Sequence, residues 1–174
     1  MVSPLKTGSH QFTVAGFHYS GSGWQKTVLL PPSPALANLE NYGSTAMAPD
    51  GSLLVAVPIG GSPTLVTVFR YTPGAGWDTE TAATYTSSPT TKCAVAWFAT
   101  GEAVVVYFNP ITEPGIEDVA IYTNGAWTSG PPLPTGYNTT SPGLATAANG
   151  DVLLTMGSDG FQYNYGVVAT WLRP

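Results

Sequence analysis

The feature that most constrains this chain is a segment that recurs three times at an interval of about fifty residues. Each copy has a strand of small residues, a tight turn closed by glycine, and a nearly continuous apolar strand. The turn glycines Gly51, Gly101 and Gly150 lie 50 and 49 residues apart. Asp-Gly and Asn-Gly pairs supply the positive φ angles of two-residue hairpin turns. Each copy is therefore predicted to form a β-hairpin, and the fixed period indicates a repeat architecture.

A second landmark follows the same period. A β-rich strand ends in an aromatic residue, a glycine-rich turn follows, and a tryptophan then opens the next strand. The three tryptophans, Trp24, Trp77 and Trp127, lie 53 and 50 residues apart. Together the two landmarks define a unit of four short strands, which we label a to d. We predict one all-β domain over residues 1–174, with units at roughly 10–42, 43–91, 92–141 and 142–174.

Four-stranded antiparallel units of about this length are the blades of a β-propeller. The a strands carry Ala46, Ala96 and Ala145 at the same distance from the turn glycine, as expected of strands that crowd around a central axis. The b strands are apolar on both faces, which is typical of strands buried between two layers. The sequence predicts an all-β fold of β-propeller type with about three blades per chain. A β-sandwich or an open stack of repeats is the alternative.

The expected strand count is about thirteen, slightly more than three blades. A closed ring normally needs at least four blades. Closure would therefore take head-to-tail association of two or more chains, or a longer propeller of which this chain is a part. The first alternative predicts a homo-oligomer.

Two local motifs carry a resemblance to a known class of repeats. The glycine-rich turn before tryptophan is followed by Leu-Pro and Pro-Pro segments, at residues 30–34 and again at 131–134. These motifs resemble the blades of kelch-like and lectin-like β-propeller proteins. The double glycine that ends the b strand of a kelch repeat occurs once, as Gly60-Gly61, and is missing from the other two copies. The resemblance implies the propeller architecture.

The charge of the chain excludes several classes of partner. Charged residues are only 9% of the chain, and the formal net charge is −5. The basic residues are scattered along the sequence as Lys6, Lys26, Lys92, Arg70 and Arg173. Nucleic-acid binding needs clustered cations that neutralise phosphates, so we expect no nucleic-acid partner and no anionic membrane surface. No run approaches the roughly 18 apolar residues of a membrane span, so we predict no membrane insertion.

The compartment follows less directly from the sequence. No apolar signal region follows Met1. An extracellular or virion-associated location is favoured, and a cytosolic one is the alternative.

Cys93 is the single cysteine, so an intrachain disulfide and a cysteine metal site are excluded. Its apolar neighbours predict a small core residue and not a nucleophile.

Enzyme motifs are mostly absent from the sequence. Neither His10 nor His18 has a second histidine or a carboxylate at a metal-ligand spacing. No Gly-x-Ser-x-Gly sequence marks a nucleophile. Sialidases share the β-propeller architecture and bind the substrate carboxylate with a group of arginines, which the two arginines of this chain do not supply. We predict a protein that is not an enzyme, with no cofactor and no metal.

Paired carboxylates are the other catalytic device of propeller glycosidases. The most suggestive acidic cluster is Glu113, Glu117 and Asp118, in the b–c loop of the second full repeat. A solvated loop is the favoured interpretation of this cluster, because carboxylates with a perturbed, functional pKa are a minority.

Aromatic side chains among Asn, Thr and Gly favour carbohydrate binding. Sugars stack their apolar C–H faces on Tyr or Trp, and polar groups take the hydroxyls. In a propeller the d–a and b–c loops share one face of the disc, and loops on a rigid scaffold often bind ligands. The candidate ligand residues in these loops are Tyr42, Tyr85, Tyr137, Asn138, Glu113, Asp159, Phe161, Tyr163 and Tyr165. The repeated tryptophans are interpreted first as packing between blades, and a site in each blade is the alternative.

Two hypotheses for function follow. The first is a non-catalytic carbohydrate-binding module, lectin-like or receptor-attaching, whose glycan is more readily neutral than acidic. The second is a structural or protein-interaction module of a larger assembly such as a virion, a phage or a surface complex. Selective glycan binding favours the first hypothesis, and obligate association without glycan affinity favours the second.

Overall fold

A computed structural model describes residues 2–7, 12–33, 43–59, 63–85, 92–108, 116–134, 139–159 and 165–172 of the chain. Every regular element in these ranges is a β-strand, and no helix in them is long and apolar enough to cross a membrane. The strands are β1 (Val2–Lys6), β2 (Phe12–Tyr19), β3 (Trp24–Ser33), β4 (Ser44–Met47), β5 (Leu53–Ile59), β6 (Thr64–Thr72), β7 (Gly76–Tyr85), β8 (Cys93–Trp97), β9 (Ala103–Tyr107), β10 (Ile116–Thr123), β11 (Ala126–Ser129), β12 (Leu133–Pro134), β13 (Thr139–Thr146), β14 (Val152–Asp159) and β15 (Tyr165–Leu172).

The strands form four antiparallel sheets that follow one another along the chain. The first sheet is β1-β2-β3, the second is β4-β5-β6-β7, and the third is β8-β9-β10-β11 with β12 also paired to β10. The fourth is β13-β14-β15. Each sheet is a meander, in which every strand pairs with its neighbour in sequence. The second sheet is a complete a–d unit, so the predicted all-β fold of four-stranded antiparallel units is confirmed. The blade number and ring closure by association stay predictions.

Two departures from the expected strand count have local causes. The sequence prediction omitted β1, whose segment Val2–Lys6 is short and contains Pro4. The outer strand of the third sheet is divided into β11 and β12, which both pair with β10. Pro131 and Pro132 lie between them, and proline has no backbone N–H to donate to a sheet. Gly130, just before them, still donates its N–H to the Val119 carbonyl at 2.8 Å.

The three a–b turns have one geometry. The N–H of each turn glycine donates to the carbonyl three residues earlier, at 2.9–3.1 Å. The φ angles of Gly51, Gly101 and Gly150 are 86°, 85° and 86°. A type I turn followed by a left-handed glycine forms a three-residue hairpin loop with a bulge. The predicted glycines are correct, but the predicted two-residue turn is wrong here; that turn occurs at Asn124-Gly125, with φ angles of 52° and 83°.

The hydrophobic core lies between successive sheets. The second and third sheets enclose the largest cluster, which includes Leu54, Val66, Val95 and Val105. The third and fourth sheets enclose a second cluster around Val104 and Leu154. The first and second sheets enclose a third, which includes the side chains of Val14, Val55, Ile59 and Phe69. The β8 and β9 strands are buried along their whole length, because each has a sheet on both sides.

The innermost strands also contact one another. The Val95 N–H in β8 donates to Ser44 Oγ in β4 at 3.2 Å. The Thr146 hydroxyl in β13 donates to the Trp97 carbonyl in β8 at 2.7 Å. The first strands of three consecutive sheets are therefore adjacent, as the small residues of the a strands predicted. Sheets that share an inner edge and pack face to face leave a cleft at each boundary between neighbours.

Candidate functional site

The c–d hairpins of the first three sheets present the same aromatic pair. Tyr19 faces Trp24, Tyr71 faces Trp77, and Tyr122 faces Trp127 across the two strands. Their ring centroids lie 5.5, 5.3 and 5.2 Å apart, and the rings are inclined by 50–62°. Tilted and edge-to-face contacts of this kind are the favoured geometry of aromatic pairs.

The preceding sheet covers the second and third pairs. The His18 imidazole of the first sheet stacks on Tyr71 at 4.7 Å, and its Nε2 is hydrogen-bonded to the Tyr71 hydroxyl at 3.0 Å. A Cβ atom placed on Gly16 would come within 2.6 Å of the Trp77 ring, so this tryptophan lies directly on the β2 backbone. The interpretation of Trp77 as an inter-sheet packing residue is confirmed by these contacts.

Between the second and third sheets the same position holds a charged group. Arg70, on β6, lies over the Tyr122 ring, 5.0 Å from its centroid, and its Nη1 donates to the Tyr122 hydroxyl. Arg70 Nη2 lies 2.5 Å from Glu80 Oε1 and 3.6 Å from Asp78 Oδ2, both on β7. The Trp127 indole N–H, on β11, donates to Glu80 Oε2 at 2.7 Å. We call these five residues the arginine cluster.

The arginine cluster is reachable from solvent. The side chains of Arg70 and Glu80 are 25% and 17% exposed, and Asp78 is largely exposed. Arg70 Nε is buried and has no hydrogen-bond partner. Charge-assisted hydrogen bonds of the guanidinium and carboxylate are stronger than neutral ones. The cluster thus combines one guanidinium, two carboxyl groups and two aromatic rings that carry an indole N–H and a phenol hydroxyl.

Among the described residues, the equivalent positions of the first and third sheets carry no arginine and no carboxylate. The position of Arg70 holds His18 in the first sheet and Ile121 in the third, because each of these residues directly precedes the tyrosine of its c–d hairpin. The position of Glu80, three residues after the hairpin tryptophan, holds Thr27 and Gly130. Sheets therefore pack on one another without the ion pair, and the arginine cluster is not a general requirement of the fold.

An aromatic cavity of about 400 Å³ lies where the first hairpin meets the second sheet. It is lined by Phe17, His18, Tyr19, Trp24, Met47, Gly51, Leu53, Tyr71, Pro73 and Trp77. Its lining combines ring faces with the His18–Tyr71 hydrogen bond, and ligand pockets typically combine apolar walls with a few placed polar groups. A second cavity, of about 390 Å³, lies among the a–b turns and is lined mainly by small and apolar residues such as Ala48, Phe98 and Ala147.

The residues predicted from the loops fall mostly outside the described part of the chain. Three have a described backbone. Tyr85 ends β7 and pairs with Thr64, and Asp159 pairs with Tyr165 where β14 and β15 flank the last b–c loop. The other six lie outside the described residues, and they are Tyr42, Glu113, Tyr137, Asn138, Phe161 and Tyr163. Their assignment to a ligand site stays a prediction.

Sequence reasoning overlooked the arginine cluster. In the sequence Arg70 stands only as one of the scattered cations, and Glu80 is not singled out. A signal was present, because Arg70 directly precedes Tyr71 of the repeated aromatic pair and Glu80 follows Trp77 by three residues. What the sequence does not show is that Tyr122 and Trp127, about fifty residues later, close over both groups.

Burial raises the pKa of two other titratable groups. Burial raises the pKa of the Cys93 thiol to about 12, partly offset by its hydrogen bond with the Ser44 backbone, which agrees with the prediction of an unreactive core residue. Burial, and then the neighbouring Asp118, raise the pKa of Glu117 to about 8. Glu117 is fully buried, and neither carboxylate oxygen has a hydrogen-bond partner. The expectation that Glu117 belongs to a solvated loop is therefore wrong: it lies within β10.

Among the described residues no group of His, Cys, Asp and Glu could hold a metal ion.

Comparisons with known proteins identify the fold and no family. No protein-family model and no curated protein sequence matches this chain. Several solved structures match it, each over a part of its own length. A protein of unknown function from Dyadobacter fermentans gives a TM-score of 0.55 at 16% identity, over 98% of this chain and 51% of that one.

Two further solved structures have informative names. AofleA from Arthrobotrys oligospora gives a TM-score of 0.52 at 12% identity, over 93% of this chain and 48% of that one. NanB sialidase from Streptococcus pneumoniae gives a TM-score of 0.52 at 11% identity, over 89% of this chain and 25% of that one. The chain thus spans a quarter to about half of the structures that it matches. Similarity at these identities shows an all-β, β-propeller-like fold and nothing about activity.

Proposed function

We propose that this chain is a non-catalytic carbohydrate-binding module of β-propeller type, and that the arginine cluster is its main binding site. The observation that carries the proposal is the convergence of Arg70, Glu80 and the Trp127 indole N–H beside the Tyr122 ring. Guanidinium and indole groups donate hydrogen bonds and a carboxylate accepts them. A sugar ring carries both types of hydroxyl interaction around an apolar C–H face, which the aromatic rings would support.

The uneven distribution of charge along the repeat supports a ligand role. Charged residues are 9% of this chain, and three of them meet in the arginine cluster. The first and second sheets pack through His18, and Ile121 stands at that position in the third sheet. Because packing alone does not call for the ion pair, binding is the better explanation of its placement.

The solved structures supply independent support of a general kind. One of the matched proteins is named as a sialidase, an enzyme that acts on carbohydrate. A solved variant of AofleA replaces three arginines, equally spaced along that chain, by alanine. Arg70 likewise stands at a repeat position of this chain. In the arginine cluster one guanidinium faces two carboxyl groups, so the formal charge of the cluster is not positive, and a neutral glycan fits better than an acidic one.

The proposal of a non-catalytic role rests on where the carboxyl groups lie. Glycoside hydrolysis uses two carboxyl groups with separate acid and base or nucleophile roles. In the arginine cluster both Asp78 and Glu80 contact the same guanidinium, so the two carboxyl groups do not flank an open space from opposite sides. Glu117 is fully buried, so a substrate in solvent does not reach its carboxyl group.

The loop residues remain a second proposed location for the ligand. Tyr85, Asp159 and Tyr165 stand at the ends of strands that lead into the d–a and b–c loops. The remaining loop residues named above would extend this surface. A structural or protein-interaction role in a larger assembly remains the second candidate function, favoured by the exposed aromatic face of the first sheet.

Binding to a broad glycan array tests the proposal. The wild-type chain is expected to bind one class of neutral glycan. Arg70→Lys keeps the positive charge but loses the planar fork of donors, and we expect its affinity to fall by about tenfold or more, which is roughly 1.4 kcal/mol. A blank array with well-folded wild-type protein would contradict the proposal.

The control removes a cation without touching the cluster. Lys26 is exposed on β3 of the first sheet, and Lys26→Ala should leave glycan binding unchanged. If Lys26→Ala weakens binding as much as Arg70→Lys does, the loss is not specific to Arg70, and the assignment of the site to the arginine cluster fails.

A further inference from the structure

The first sheet presents the repeated aromatic pair without a cover. Trp24 is 65% exposed and Tyr19 is 55% exposed. Val28, two pleats from Trp24 along β3, is 56% exposed. Because side chains two residues apart share a face of a strand, Trp24 and Val28 lie on one face of the first sheet. Lys26 lies between them on the same face and is also exposed. Exposed apolar patches with polar residues around them mark interaction surfaces.

The same pair in the next two sheets shows what covers such a face. Tyr71 is covered by His18, and Tyr122 is covered by Arg70. Each covering residue belongs to the c strand of the preceding sheet and directly precedes that sheet's own tyrosine. The face that holds Tyr19 and Trp24 is thus the side on which another sheet of the same kind packs.

The fourth sheet offers the matching position. Counted from the a–b turn, β5 pairs Leu54 with Arg70, and β9 pairs Val104 with Ile121. In the fourth sheet the register pairs Leu153 with Trp171. Trp171 therefore stands at the register position that His18 and Arg70 use to cover the next sheet. An aromatic residue at this position suits an aromatic partner.

We propose that the exposed face of the first sheet binds the fourth sheet of a second copy of this chain, head to tail, with the Trp171 position meeting the Tyr19–Trp24 pair. The contact continues the series of inter-sheet contacts already present within one chain. It is heterologous, because two different surfaces meet, and such contacts close into rings or extend into open chains. The proposal is independent of whether the arginine cluster binds a glycan.

Sedimentation velocity over a wide range of protein concentration tests this interface. The wild-type chain is expected to form a species of two or more chains. Trp24→Glu places a charge on the proposed face and should give a monomer with an unchanged circular-dichroism spectrum. Gln25→Glu is the matched control: it adds the same charge to the neighbouring exposed residue of β3, on the opposite face, and should leave the association unchanged.

A mixing experiment tests the head-to-tail arrangement. Trp171→Glu alone should also give a monomer. Each of the two variants keeps one intact surface, so an equal mixture of Trp24→Glu and Trp171→Glu should restore a two-chain species. A wild-type chain that stays monomeric at all concentrations would overturn the proposal. An associated Trp24→Glu variant would do so as well, and a mixture that stays monomeric would overturn the head-to-tail arrangement.

Discussion

At the scale of single residues, one repeat position carries three chemistries. It holds His18, Arg70 and Ile121 in successive sheets, although the backbone around it is the same. The histidine hydrogen-bonds the next tyrosine, while the arginine joins two carboxylates, a phenol and an aromatic ring. A repeated scaffold therefore carries a single concentrated polar cluster within its described part.

The hydrogen bond of Trp127 can be separated from the packing of its ring. Trp127→Phe keeps an aromatic ring but removes the donor to Glu80. Trp77→Phe makes the same change where the indole N–H is buried without a partner. We expect Trp127→Phe to lose about 1.5–3 kcal/mol more free energy of unfolding than Trp77→Phe, since hydrogen bonds to charged groups contribute that much. Urea unfolding measures both. Equal losses would mean that the Glu80 bond contributes nothing.

Glu117 should make the stability depend on pH. Its folded pKa is about 8, against an ordinary value of 4.5. Between these values the unfolded chain has released the proton and the folded chain still holds it, so stability falls as pH rises, by at most roughly 1.4 kcal/mol per pH unit. Glu117→Gln removes this contribution. The variant's advantage over wild type, measured by urea unfolding, should grow from pH 5 to pH 8; a difference that is constant with pH would contradict the buried state of Glu117.

At the scale of elements, the a–b turns repeat one hydrogen-bond pattern with different surroundings. Gly101 and Gly150 share a φ of 85–86°. A Cβ on Gly101 meets no atom within 4 Å, whereas one on Gly150 would lie 2.2 Å from the Ala99 Cβ. The fourth sheet's turn thus rests against the third sheet's turn.

This difference separates backbone strain from crowding. Gly101→Ala should lose about 1–2 kcal/mol, the cost of a left-handed conformation in an L-residue. Gly150→Ala has the same backbone strain and also a clash with Ala99, so it should lose at least about 1 kcal/mol more. Thermal or urea unfolding of the two variants gives the comparison. Equal losses would show that the two turns do not pack together.

Local signals in the sequence predict the turns and most strands, but not every detail. Glycine at positions 51, 101 and 150 identifies the hairpins because a positive φ favours glycine. The bulge depends on which carbonyl each glycine N–H reaches, and a dipeptide does not specify this. Glu117 lies on the same face of β10 as Val119, which packs against the fourth sheet, and that sheet comes later in the chain. Its position in the sequence is indistinguishable from that of a loop acid.

At the scale of the whole molecule, the fifty-residue period predicts sheets that stack in chain order, and the described structure has that arrangement. The residues that we propose to bind ligand at the sheet boundary are harder to predict. Arg70 and Trp127 come from different repeats, so only the packing of one sheet on the next brings them together. The same packing explains why Trp77 is covered and Trp24 is exposed, although both occupy the same place in the repeat.

The central claim is that a carbohydrate binds between the second and third sheets. The most direct test is a crystal structure of the chain with the glycan that the array selects. We predict a sugar that stacks on Tyr122 or Trp127, with hydroxyls hydrogen-bonded to Arg70 and Glu80. A sugar bound only by the d–a and b–c loops, or crystals without sugar at a saturating glycan concentration, would contradict the claim.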